Sequence, residues 1–104
     1  MITVVLPTTT QFLLLNPNTK RKRLLIQMRS TIVDANNVGN VKVAYNNQPN
    51  TGDANPTTGD MLTQGAYVDK NEVQGTMPPA GKGAIWLFSS VANQSVDYEE
   101  VISE

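Results

Sequence analysis

The sequence predicts an all-β fold, an antiparallel sandwich or barrel with little or no helix, and three observations carry that expectation. Asn and Thr occur 11 times each among the 104 residues, whereas Leu, Ala, Glu and Lys at helical spacing are scarce. Apolar residues recur with a period of two, the spacing that places alternate side chains on one face of a strand. Turn-forming residues separate these runs at roughly 8–12-residue intervals, the rhythm of a sandwich or small barrel.

In chain order, Ile2, Val4 and Leu6 alternate with Thr3 and Val5. Gln11 to Leu15 reads as a more fully buried strand. Leu24, Ile26 and Met28 share one face of the next strand, with Leu25, Gln27 and Arg29 on the other. Asn36-Asn37-Val38-Gly39-Asn40 reads as a hairpin-type connection, and Val41, Val43 and Tyr45 resume the period of two. The stretch from Asn46 to Asp60 is almost purely Asn, Gln, Pro, Thr, Gly and Asp, and belongs at the surface. Pro78 to Gly83 is a rigid lead-in to Ala84–Phe88, which is apolar on both faces and therefore predicted to be a central strand. Val96, Tyr98, Glu100 and Ile102 close the chain, with Asp97 and Glu99 facing away. Phe12, Trp86, Phe88 and Tyr98 are expected in the core.

A chain of this length forms one domain, residues 1–104, and buries roughly 60–70% of its unfolded surface. It contains neither Cys nor His. Disulfides, thiol nucleophiles and Ser–His or Cys–His catalysis are thereby excluded, along with the common ligands for zinc and copper. Met1 to Pro7 lacks the basic start of a secretory signal. The longest apolar runs fall far short of the ~20 residues of a membrane-spanning helix. A soluble protein made in a cytoplasm, with no membrane partner, is the expectation.

Charge is unevenly distributed. The net charge is −1, yet residues 1–52 hold six cations against Asp34 alone, while residues 53–104 hold Lys70 and Lys82 against eight carboxylates. Such halves neutralise each other in the fold or pair between copies. Half of all the cations stand together as Lys20, Arg21, Lys22 and Arg23, delivered by the turn Asn16-Pro17-Asn18 directly into an apolar strand. That block is expected to form a fixed basic edge and is the candidate partner-binding site. Three roles are open to it: a solvated strand edge that blunts aggregation, docking onto an acidic protein surface, or neutralisation of nucleic-acid phosphates. The last is disfavoured by the near-zero net charge and by six aromatics with none interleaved among the cations.

Other motifs carry little chemistry. Gly75 to Gly83 superficially resembles a phosphate-binding loop, but five residues separate Gly75 from Gly81 where four are required, and Gly83 occupies the Ser/Thr position. A Pro/Gly turn accounts for it. Asp53, Asn55, Asp60, Asp69, Asn71 and Glu72 offer oxygen ligands without the spacing of a calcium loop. Glu99 and Glu100 point to opposite faces of a strand and cannot flank one bond. Asn93-Gln94-Ser95 matches a glycosylation acceptor by chance composition. No catalytic residue, metal site or cofactor is expected.

Asn16-Pro17-Asn18-Thr19 followed by Arg21-Lys22-Arg23-Leu24-Leu25-Ile26-Gln27 resembles a turn and strand found in small β-sandwich structural proteins of tailed bacteriophages. Met61-Leu62, Gly65-Ala66-Tyr67, Pro79, Gly83-Ala84-Ile85-Trp86 and Val96-Asp97-Tyr98-Glu99 follow in the order those proteins have, so the resemblance spans most of residues 12–102. It departs at Met28, where such strands often have Asn, and in the length of the Asn46–Asp60 stretch. The resemblance implies a jelly-roll-like decoration or cement protein on the outer surface of the virion, commonly trimeric and bound to the major capsid protein. A tail- or fibre-associated module that recognises a carbohydrate or receptor through Asn46–Asp60 is the alternative.

Overall fold

The computed structural model describes residues 1–45, 59–77 and 79–103. Eight strands follow one another: β1 (Ile2–Leu6), β2 (Phe12–Leu15), β3 (Arg21–Met28), β4 (Val41–Tyr45), β5 (Asp60–Leu62), β6 (Tyr67–Asn71), β7 (Ile85–Ser89) and β8 (Gln94–Ile102). A 3₁₀ turn, Pro79–Lys82, precedes β7. Two antiparallel four-stranded sheets form, in the orders β1-β8-β3-β6 and β2-β7-β4-β5.

These orders have a simple origin. β1 pairs with β8, β2 with β7, β3 with β6 and β4 with β5. The chain is thus one long two-stranded ribbon doubled back between β4 and β5. Winding the ribbon brings β3 beside β8 and β4 beside β7. That is the jelly-roll topology, and it closes a two-sheet sandwich with Greek-key connections.

The alternation seen in sequence sets the core. Leu6, Leu24, Ile26, Met28, Val68 and Val96 from one sheet meet Val41, Val43, Leu62, Ile85 and Leu87 from the other, all buried. Each such side chain contributes about 1.5–3 kcal/mol through burial. β7 lies between β2 and β4, the interior position its double-faced apolarity requires.

Four expectations are corrected. β2 is an edge strand with Leu13 41% exposed. A register shift between Leu13 and Leu15 turns both Leu14 and Leu15 toward the core, which explains an unbroken apolar run at an edge. Asn36–Asn40 is not a hairpin, because β3 and β4 belong to different sheets. The crossing is held by buried amides: Asn37 donates to the Arg29 and Ser95 carbonyls, and Gln94 donates to the Asn36 carbonyl and accepts from the Gly39 N–H. Trp86 lies outside the inter-sheet core, half-buried on the outer face of its sheet opposite Ala44, while Ile85 and Leu87 face inward; Phe88, opposite Lys42 on that same face, is nevertheless buried as expected, at 2% exposure. Phe12 and Tyr98 do pack against the core. Finally, β3 is an interior strand flanked by β8 and β6, so the basic block is not a sheet edge.

Candidate functional site

The four cations are anchored at one pole of the sandwich by main-chain bonds. Asn18 closes a local turn by accepting the Lys20 N–H at its side-chain oxygen, 2.9 Å away, the self-bonding habit of Asn in turns. Its own N–H donates to the Lys82 carbonyl at 2.8 Å. The Lys20 carbonyl accepts from Ser103 and the Lys22 carbonyl from Glu72, both at 2.8 Å. The end of β8 and the β6–β7 connection therefore fix the backbone on either side of Arg21.

Side chains then separate the four. Between Arg21 and Arg23 the register with β8 slips by one residue, with Arg21 opposite Ile102 and Arg23 opposite Val101. The extra residue, Lys22, forms a bulge that re-aims its neighbours. Arg21, which strict alternation would direct outward, turns into the sandwich and is 0% exposed. Its Nε donates to Glu100 at 2.6 Å, Nη1 to the Gly81 and Gly83 carbonyls at 2.8 and 2.9 Å, and Nη2 to the Asn16 carbonyl at 2.8 Å. One guanidinium thus ties three segments together through its planar fork of donors. It belongs to the architecture and has no free surface for a partner.

Arg23 faces outward and forms a two-point pair with Asp69 across β6, both distances 3.1 Å. The Asp69 hydrogen bond and charge raise the Arg23 pKa above its already high ordinary value. Lys20 and Lys22 remain: both are exposed, and neither ammonium has a carboxylate partner among the described residues. Of the basic block, two lysines on an immobilised backbone are available to a partner, with Arg23 at their margin.

The described carboxylates among the candidate oxygen ligands are dispersed and engaged. Asp60 accepts from the Tyr45 hydroxyl at 2.6 Å and pairs with Lys70 at 3.4 Å, Asp69 serves Arg23, and Glu72 pairs with Lys82 at 3.2 Å. Among the described residues no three acidic side chains converge on a metal-sized site; Asp53 and Asn55 lie outside them. Burial, and then the Asp60 carboxylate, push the Tyr45 hydroxyl pKa far upward, so it stays a donor. The Gly81 and Gly83 carbonyls point at a guanidinium, the opposite polarity from an N–H cradle for phosphate. Asn93, at φ 64°, makes the turn into β8, and Ser95 is buried.

Two networks escaped the sequence reading. Arg29 donates to Asp97 at 2.9 Å and to the Thr3 hydroxyl at 2.8 Å, while Thr3 donates to Asp97. Asp34 accepts from Ser95 on β8. Their members are 26 to 94 residues apart, and no local pattern marks them. A shallow cleft of about 340 Å³ opens beside Lys42, Met61, Phe88 and Ser90. The Ser90 hydroxyl is already an acceptor for the Asn40 N–H.

The chain matches no family model, and no curated protein or solved structure matches it.

Proposed function

We propose that this protein is a non-enzymatic structural component of a tailed-phage virion, a decoration protein that docks on the major capsid protein at the outer surface of the shell and associates with copies of itself. The observation that carries the docking part is the pair Lys20 and Lys22. Their carbonyls are pinned by Ser103 and Glu72, yet both side chains are exposed and have no carboxylate partner among the described residues. A partner with an acidic surface meets two charges whose backbone is already ordered, so docking is spared the cost of ordering a loop. The virion assignment is supported by the resemblance in residues 12–102 and by the jelly-roll topology, an architecture used in capsid proteins and also in lectins. A rigid sandwich repeated over a shell gains avidity from many weak contacts.

Exposed ion pairs contribute about 0–1 kcal/mol each. The double variant Lys20→Glu/Lys22→Glu loses two such pairs and adds repulsion, so shell binding at moderate salt weakens by roughly tenfold, mainly through the association rate. Occupancy on purified particles, measured with titrated protein, reads this directly. Unchanged occupancy by a folded variant refutes the docking role of the two lysines. Absence of the wild-type chain from particles of its source refutes the virion reading itself.

A further inference from the structure

Among the described residues the sandwich has four sheet edges, β1 and β6 in one sheet and β2 and β5 in the other. Natural edges refuse further pairing by carrying charges, by being short or by being bulged. Three of the four do so. β6 carries Asp69 and Lys70, β5 has three residues and begins with Asp60, and β2 has four residues and a register break.

β1 has none of these devices. Its sequence Ile-Thr-Val-Val-Leu contains no charge and no proline, and its five residues pair with β8 in unbroken register. Among the described residues its main chain bonds only to β8 and the turn leading into it. Ile2 and Val5 are 58% and 55% exposed. A row of unpaired N–H and C=O groups flanked by apolar side chains is a template for one more strand.

We propose that β1 pairs antiparallel with β1 of a second copy, about a two-fold axis through Val4, so that the two four-stranded sheets become one continuous sheet of eight. This register puts Ile2 of one copy opposite Leu6 of the other, Thr3 opposite Val5, and Val4 opposite itself. Inward residues meet inward residues and outward meet outward, so both cores extend across the seam. Self-complementarity selects a second copy as the occupant: about Val4 the strand is apolar at Ile2 and Leu6 alike, and it carries no charge to repel its own image. A two-fold axis sets each residue against its own strand, and like charges placed so are destabilising. β1 brings no charge to the seam, and the neighbouring Asp97 is neutralised by Arg29. The same operation on β6 crowds Asp69 and Lys70 of both copies, each already held in an ion pair, onto the seam.

An isologous contact of this kind closes at two copies, unlike the trimer implied by the resemblance. It stands independently of the virion reading, because neither Lys20 nor Lys22 takes part. Light scattering of the intact chain, from about 1 µM to 1 mM, measures the association by mass action. The expected result is a mass rising to twice 11.3 kDa. Val5→Lys, which places a cation at the exposed edge, is expected to raise the dissociation constant at least tenfold while leaving the monomer's circular dichroism unchanged. The chain has no cysteine, so Val4→Cys provides a position-specific reading: mild oxidation gives a covalent dimer, whereas Val38→Cys, more exposed to oxidant than position 4 at 63% on the β3–β4 connection, does not. A wild-type monomer at every concentration, a trimer, an open-ended polymer, or a dimer undiminished by Val5→Lys overturns the proposal.

Discussion

Replacing Arg21 with methionine keeps most of the side-chain volume and removes the guanidinium that four hydrogen bonds hold at 0% exposure. The Glu100 carboxylate, only 19% exposed, then lacks its cation. The carbonyls of Asn16, Gly81 and Gly83 lose their donors in the same step. Removing one member of a buried ion pair costs about 3–5 kcal/mol, most of it from the uncompensated charge left behind. A domain of this size has about 5–15 kcal/mol in all, so the variant forfeits a large share of it. With about 4–8 °C lost per kcal/mol, Tm falls by at least ~12 °C. Urea unfolding of wild type, Arg21→Met and Lys22→Met measures the costs directly, with an unchanged slope confirming a common unfolded state. Lys22→Met, a surface change, stays within about 0.5 kcal/mol. Arg21→Met combined with Glu100→Gln recovers part of the loss, because no unpaired charge remains. An Arg21→Met cost below about 1 kcal/mol, indistinguishable from Lys22→Met, refutes the assignment of Arg21 to the architecture.

Two further outcomes follow from other sites. Burial acts to raise the Asp97 pKa, but hydrogen bonds from Arg29 and Thr3, with the Arg29 charge, outweigh it and hold the pKa below the ordinary value. A depressed carboxylate pKa contributes stability above the unfolded value, about 3.9, and loses it as pH falls through the folded value. The stability gap between wild type and Asp97→Asn is therefore constant from neutral pH down to roughly 5 and closes below about 4; a gap that persists in acid contradicts the pairing. Gly59 has φ +121°, and a Cβ there would lie 2.1 Å from the Val43 carbonyl oxygen. Gly59→Ala costs more than about 2 kcal/mol in thermal or urea unfolding and loosens the β4–β5 pair, whereas Gly65→Ala, at φ +80° with open space around it, costs about 1 kcal/mol.

Strand legibility followed burial. β1, β3, β4, β7 and β8 show their alternation or their apolar run because one or both faces are committed to the core. β5 and β6 do not: Asp60-Met61-Leu62 is too short to show a period, and Tyr67-Val68-Asp69-Lys70-Asn71 carries the charges that protect an edge. The devices that stop a strand from aggregating are the ones that hide it from a hydrophobicity pattern. β2 misled in the other direction, since its bulge sends two successive leucines inward and imitates a strand buried on both faces.

By itself the sequence determined the fold class, the outward direction of Asp97 and Glu99, the interior place of the Trp86 strand, and the exclusion of thiol and imidazole chemistry. These are properties of side-chain type and spacing, and they are local. Only the tertiary structure decided how the basic block divides. A one-residue bulge at Lys22, created by the register between β3 and a strand some 79 residues away, turns Arg21 into the sandwich and leaves Lys20 and Lys22 outside. Four adjacent cations look alike along a chain because charge is a property of the residue. Whether a charge meets water, a carbonyl or a partner is a property of strand pairing, and no neighbouring residue reports it.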